Sequence, residues 1–457
     1  MGIRTEINKK QFYRQVAALV VPIALQNLIN VGVQSADVIM LGRVGEIVLS
    51  GASLAGQVQF VLMLLFFGLA SGGSVLTAQY WGKGDRRTIE KVLAITLKIS
   101  MAASFVFFFA AFFFPEVLMR IFTPEAEVIA AGVVYLRIIA PSYLFMGFTN
   151  IYLNIMRSVE RVVVATAVYF ISFVTNVVLN ALLIFGLLGF PAMGIAGAAL
   201  GSTLARALEL VIVIVYAARN PDIRLRPKDY TRRHRALFKD FFKYSMPTTV
   251  NELLWGMAMS ANAVIIGHMG AAAVAANSVT NVTRQLATVV CFGLASATAI
   301  LLGKTIGAGE TAKADVFAKL LVRITMIAGV AGGGLILVIR PLVLHIMNLS
   351  AAAQDYLSFM LYFLCIYVVA SAFNTVIIVG VLRAGGDTRF GLYVDMTTMW
   401  GGSILLGALA AFVFGFPVKA VLLILYCDEF LKLIPCFLRY RGKKWLRNVT
   451  RPQMEEP

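Results

Sequence analysis

Apolar residues run through this chain in uncharged blocks of about 20 or more, the length a helix needs to cross roughly 30 Å of hydrocarbon at 1.5 Å per residue. The stretch "ITLKISMAASFVFFFAAFFF" shows the type, being apolar on every face. Membrane strands would instead read as segments of about ten residues alternating apolar with polar. The pattern therefore predicts an all-α membrane protein. Twelve transmembrane helices are expected near residues 14–41, 53–80, 92–114, 127–150, 161–186, 192–218, 241–266, 272–302, 315–339, 352–380, 390–414 and 417–438.

A second regularity is superimposed on the first. "FGLASGGSVLTAQYWGKGD" begins at Phe67, and a close echo, "FGLASATAILLGKTIGAGE", begins at Phe292, 225 positions later. The same offset carries Pro22 onto Pro247, Gly42 onto Gly267, Gly45 onto Gly270 and Asp85 onto Glu310. Helices 1 and 2 thus recur as helices 7 and 8. An even number of helices separates the copies, so the repeat is parallel: two six-helix lobes related by a pseudo-twofold along the membrane normal. The predicted organisation is an N-terminal lobe at 1–218, a basic linker at 219–240, a C-terminal lobe at 241–438 and a tail at 439–457.

Charge orients the helices. Lys and Arg gather at the N-terminus (Arg4, Lys9, Lys10), after helix 2 (Lys83, Arg86, Arg87, Lys91), after helix 4 (Arg157, Arg161) and in the linker. They recur after helix 8 (Lys304, Lys313), after helix 10 (Arg383, Arg389) and in the tail, always on one side. The positive-inside rule then predicts that both termini are cytoplasmic. The formal net charge of +17 does not point to nucleic acid, because the charges are spread over membrane-flanking loops, where topology and anionic headgroups account for them. The charged N-terminus precedes a span too long for a cleavable signal peptide, so helix 1 is expected to stay as an anchor. "RGKKW" after helix 12 reads as an interfacial anchor.

Composition agrees with the pattern: 60% of the 457 residues are hydrophobic and 14% charged, against about 45–50% and about 25% in soluble domains. Cys291, Cys365, Cys427 and Cys436 fall in or near spans without ligand spacing and read as packing residues. His234, His268 and His345 lie in loops or at helix ends. No P-loop, nucleophile elbow or dinucleotide fingerprint appears, so neither an enzyme nor a self-contained ATP-driven pump is expected, and no cofactor. No filter or symmetric pore marks a channel. Repeated lobes are characteristic of secondary transporters, which bind substrate near the midplane between repeats.

The motifs "LVVPIALQNLINVGVQSADVIMLGRVG", "FGLASGGSVLTAQYWGKGD", "TNVVLNALLIFG", "GIAGAALGST" and "LRAGGDTR", in that order along the whole chain, resemble the multidrug and toxic compound extrusion (MATE) family. The resemblance implies a V-shaped antiporter in the bacterial inner membrane. It would work by alternating access, as a monomer among membrane lipids, exporting organic cations or other amphipathic compounds in exchange for H+ or Na+. The competing expectation is a flippase of related fold for a lipid-linked precursor, for which more spans and a more cationic cavity would be anticipated.

Ionisable residues inside a membrane are costly and by default face a cavity or a partner. In helix 1, Asn27, Asn30, Gln34 and Asp37 step by three, four and three positions and share a face. Asp37 can hold Na+ with neighbouring oxygens or take up a proton; otherwise it caps the outer end of helix 1. The resemblance makes it the ion-coupling acid of the first lobe. Asn176 and Asn180, one turn apart in helix 5, are its expected partners, with Ser202 or Thr203 adding a hydroxyl. Asn180 stands where a subset of the family has Asp, which leaves the ion open; Asp37 and Asn180 are metal ligands only under Na+ coupling. In the second lobe Glu252 matches a family coupling acid of helix 7. It shares a face with Trp255 and Met259, a set suited to an organic cation or to plain packing. Arg284 is a further candidate, either at substrate or neutralising Glu252. Asp395 is a second acid or the partner of a helix-end cation. Pro22 and Pro247 each remove a backbone hydrogen bond and mark kinks or hinges.

Overall fold

The computed structural model describes residues 8–232, 234–347 and 349–452. Arg4, counted above, lies outside them. Long helices follow one another in twelve passes: α1 Lys9–Gly42, α2 Glu46–Lys83, α3 Arg86–Phe113, α4 Ala126–Ser158, α5 Val162–Phe185, α6 Ile195–Arg219, α7 Arg235–His268, α8 Ala271–Gly307, α9 Thr311–Ile346, α10 Ala351–Leu382 and α11 Thr388–Val413. The twelfth pass, predicted as one helix, is broken at Tyr426 and Cys427 into α12a Val418–Leu425 and α12b Asp428–Arg441. Ten of the described helices are long and apolar enough to cross a membrane. The other two passes carry polar groups in mid-length: Asn251, Glu252 and Asn262 in α7, and Asp428, Glu429 and Lys432 in the twelfth.

The repeat is written into local structure. α2 and α8 begin 225 positions apart, as do α3 and α9. The turns before α3 and α9 use Gly84 and Gly309 at φ 80° and 81°, left-handed backbone that other residues adopt only with strain. Asp85 then caps α3, accepting from the Thr88 amide at 3.0 Å. Pro22 and Pro247 both lie inside their helices, which continue through them.

By packing, the structure divides into two compact units. One comprises Met1–Ala24, Ala78–Gly84 and Met246–Pro457, the other Leu25–Thr77 and Asp85–Ser245. The second is centred on Leu62, Phe66, Met119, Leu136, Tyr143 and Met146, all buried. In the first, Leu357, Leu361, Leu364, Val421 and Leu422 form the corresponding core. The outside is apolar too: on α9, Ile327, Val330 and Val338 are exposed, Val338 by 74%. Such a surface suits lipid, which charges nothing for apolar contact and leaves every backbone polar group to be satisfied within a helix.

Each unit also holds a strap across the basic ends of its helices. The linker lies on α3: Glu90 accepts from the Arg224 amide at 2.9 Å and pairs with Arg226 at 2.9 Å, Asp229 takes the Arg87 guanidinium, and Asp222 takes Arg161. The tail lies on α9, where Asp315, 225 positions after Glu90, pairs with Lys443 at 2.9 Å. Trp445 is a correction to the anchor reading. It is fully buried, donates to the Tyr440 carbonyl at 3.2 Å and closes on Gly385, where a Cβ would meet its backbone. Buried Gln79 of α2 fixes the strap, donating to the carbonyls of Ala384 and Arg447 at 2.7 and 3.1 Å and accepting from the Val449 amide at 2.8 Å. Gln79→Ala strands these groups, each at about 1–3 kcal/mol if it stays buried. Trypsin cleavage after Arg447 in folded protein is therefore expected to accelerate, and an unchanged rate would show that Gln79 does not hold the strap.

Candidate functional site

Asp37 comes from α1, near its Gly42 end, and α5 is pressed against it. Asn180 donates from Nδ2 to Asp37 Oδ1 at 2.6 Å and to Asn176 Oδ1 at 3.4 Å. Asn176 in turn donates to Ser202 Oγ of α6 at 3.0 Å. The glycines of "GIAGAALGST" make this approach close: a Cβ on Gly197 would strike the Leu183 carbonyl, and one on Gly201 would overlap Asn180 Oδ1. Asn180 is fully buried, and its Oδ1 has no hydrogen-bond partner among the described residues. Ser202, not Thr203, faces the site; the Thr203 hydroxyl donates to the carbonyls of Ile138 and Ala199 at 3.0 and 2.8 Å and serves packing.

Two residues of this cluster were not singled out from the sequence. One turn along α6 from Ser202, Arg206 pairs with Glu209 at 2.7 Å. Glu209 is fully buried and also accepts from Ser172 Oγ at 3.1 Å. Arg206 acts electrostatically on Asp37 as well. Ser172, Asn176 and Asn180 on α5 thus face Ser202, Arg206 and Glu209 on α6, a polar ladder with Asp37 at one end. Glu209 is neutralised by Arg206, whereas the hydrogen bond that Asp37 makes among the described residues is to the neutral Asn180. The signal was present in the sequence as an Arg and a Glu at i, i+3 within a span. Elsewhere on α1, Asn30 and Gln34 are exposed, whereas buried Gln26 is structural, donating to the Val162 carbonyl at 3.2 Å and to Thr166 Oγ1 at 2.7 Å.

The second cluster lies among α7, α10, α11 and α12b. Glu252 is held by Arg383 at 2.8 Å. Arg284 does not neutralise it, contrary to one expectation; Arg383 reaches Glu252 from the end of α10. Asp395 accepts from Asn251 Nδ2 at 2.9 Å and pairs with Lys432 at 2.9 Å, so its cation lies inside a helix and not at a helix end. Lys432 also pairs with Asp428 at 3.0 Å and lies 3.7 Å from Glu429, which Asn374 Nδ2 meets at 2.7 Å. A π-helical stretch, Val376–Leu382, leads into Arg383, and another, Met396–Ile404, follows Asp395. The wider turn adds a residue per turn and re-aims the side chains beside it; nothing in the hydrophobic pattern signalled it. Trp255 is 37% exposed, and Met259 Sδ lies 3.9 Å from the Arg284 guanidinium.

A family model described as MatE matches residues 22–182 and, a second time, 247–409, starts that are 225 positions apart. The chain belongs to the MatE family. Among similar proteins, an uncharacterized transporter, YisQ of Bacillus subtilis, is 25% identical over 438 residues, 93% of each chain. A probable multidrug resistance protein NorM of Rhizobium meliloti is 26% identical over 423 residues, 89% of this chain and 87% of the relative. Among solved structures, MATE in the bent conformation superposes with a TM-score of 0.86 at 18% identity, covering 94% of this chain and 95% of that one. A MOP superfamily transporter from Pyrococcus furiosus gives 0.84 at 18% identity with the same coverage. Those likenesses establish the fold. This MatE chain is an all-helical multi-pass membrane protein of twelve transmembrane helices in two six-helix lobes, the second repeating the first.

Proposed function

We propose that this protein is a secondary active exporter that moves small amphipathic compounds, organic cations among them, outward in exchange for H+ or Na+. The observation that carries the reading is the contact of Asp37 with Asn180, 2.6 Å, beside a buried amide oxygen with no partner among the described residues. A carboxylate, an amide oxygen and the Ser202 hydroxyl provide oxygen ligands for Na+, and the carboxylate alone suffices for a proton. Asp37, bonded to the neutral Asn180 while Glu209 has Arg206, is the acid of the ladder assigned to one monovalent ion per cycle. Glu252, neutralised by Arg383, serves as the acid of the second lobe, with Trp255 and Met259 at the substrate. Asp395, held by Lys432 and Asn251, is structural in this reading, and exposed Asn30 and Gln34 meet substrate from the first lobe.

The functional division is that of the repeat: lobes 1–218 and 241–438, the linker 219–240 and the tail 439–457. Alternating access would bend α1 and α7 at Pro22 and Pro247, where a backbone hydrogen bond is missing. The protein sits as a monomer in the bacterial inner membrane with both termini in the cytoplasm, as the distribution of basic residues favours. The test is transport of a fluorescent organic cation in proteoliposomes under a pH gradient or a Na+ gradient imposed separately. Uphill movement under one of them is expected and names the ion. Absence of uphill movement under both would overturn the antiporter reading and bring forward lipid-linked substrates.

A further inference from the structure

A groove of about 500 Å³ lies between α9, α10 and α12b, within one compact unit. Met326, Ile366, Ala370, Phe373, Ile434 and Phe437 are among the residues that line it, and every lining side chain is apolar. Its volume is that of a small-ligand site, about 300–1,000 Å³, but such sites carry a few polar groups that orient the ligand. This one has none along its walls, so polar recognition has to come from its mouth.

The mouth is basic. On α9, Lys319, Arg323 and Met326 stand at i, i+4 and i+7; on α12b, Ile434, Phe437 and Arg441 stand at i, i+3 and i+7. Each helix thus carries one face that passes from the apolar lining to cations. α9 begins and α12b ends on the side where Lys443 reaches Asp315, so both faces turn basic in the same direction. They also converge, since Arg323 acts electrostatically on Tyr440, the residue before Arg441. Arg323 and Arg441 are exposed, and among the described residues neither makes a hydrogen bond or an ion pair. Asp315 is shared by Lys319 and Lys443, both at 2.9 Å, and Asp387 is taken by Arg439. Two acids against five cations leave the mouth positive. The first lobe has no equivalent: the repeat places Lys98 at the position of Arg323, and the linker occupies it through the Asp229 carbonyl at 3.3 Å.

We propose that this groove is a binding site for an anionic phospholipid, with one acyl chain along Met326, Phe373 and Phe437 and the phosphate held by Arg323 and Arg441. A guanidinium fork meets two phosphate oxygens at once, and its stem lies along apolar surface at no cost. Basic pockets between membrane helices select anionic headgroups, each cation adding to the attraction. A zwitterionic phospholipid offers the same chains and phosphate but brings its own cation, which a positive mouth repels. The site concerns a lipid partner and does not depend on which compound or ion is transported.

The test is native mass spectrometry of the full-length protein in detergent, reading the most tightly held lipid. Dioleoylphosphatidylglycerol and dioleoylphosphatidylcholine, which share their acyl chains, are added at equal concentration. Wild type is expected to retain the anionic lipid in preference by about tenfold. The double variant Arg323→Gln, Arg441→Gln should erase the preference. Arg235→Gln with Lys239→Gln, which removes two exposed cations from the start of α7, should keep it. Ile366→Trp, which puts bulk into the groove at an exposed lining position, should weaken retention of the anionic lipid, and free glycerol 3-phosphate should not displace it. Absence of a preference in wild type overturns the proposal, as does unchanged retention in Ile366→Trp. Equal loss in the two double variants also overturns it, by showing diffuse surface charge, and displacement by glycerol 3-phosphate does so by showing a site for free phosphate.

Discussion

Asp37→Asn is expected to abolish gradient-driven export while the protein still folds. A pH difference of one unit carries about 1.4 kcal/mol per proton, enough to concentrate a coupled substrate about tenfold. The variant should show no such accumulation, because an amide neither carries the charge that holds Na+ nor takes up a proton. Folding should survive, since an amide oxygen can still accept the Asn180 hydrogen bond made to Asp37 at 2.6 Å. Replacement also removes a charge from an enclosed site, which lowers a desolvation cost. Proteoliposome efflux and thermal melting, measured on the same preparation, check both halves. Normal accumulation with correct folding would remove Asp37 from the coupling mechanism.

Lys432→Met should produce the largest loss of stability. The ammonium is 2.9 Å from Asp395, 3.0 Å from Asp428 and 3.7 Å from Glu429, and all four side chains are largely buried. Methionine keeps roughly the length of the stem and removes the charge. Three carboxylates then lose their shared cation, and breaking a buried pair from one side costs about 3–5 kcal/mol. Asn251 and Asn374 still donate to Asp395 and Glu429, but a neutral donor offsets only part of a buried charge. Lys432→Arg should hold most of the stability. Adding Asp395→Asn to Lys432→Met should recover some of it, because the two side chains are in direct contact and their effects are not additive. Thermal unfolding in detergent reads all three variants, and a Lys432→Met protein that melts with the wild type would show that the network contributes little.

The two clusters differ in how much of them could be seen beforehand. In the first, helical spacing placed Asn176 and Asn180 on one face and Asp37 at the end of a polar stripe on helix 1, with a capping role at the outer end of that helix as the alternative. The Arg206 and Glu209 pair passed unremarked within an apolar helix, although its i, i+3 spacing carried the signal. In the second, Glu252 was identified and its partner was not. Arg284 seemed eligible because it too lies in mid-span, yet the guanidinium that reaches Glu252 is Arg383, 131 positions away. The broken twelfth pass was hidden as well, since "VKAVLLILYCDEFLKLIPCFLRY" reads as one apolar stretch with a charged middle.

Sequence by itself determined the number of passes and the turns between them, which depend on neighbours a few positions apart, and the repeat, which shows as one constant offset of 225 positions. Run length sets a span, periodicity sets a face, and Gly84 and Gly309 set a turn. Tertiary structure alone decided which acid meets which cation. Glu252 finds Arg383 131 positions away, and Asp395 finds Lys432 on a different helix. Periodicity says which way a side chain points but not what is pressed against it; that depends on how closely glycines such as Gly197 and Gly201 let helices approach. In a low-dielectric interior such pairings govern whether a charge is neutralised or shared, and so they govern the chemistry available to the protein.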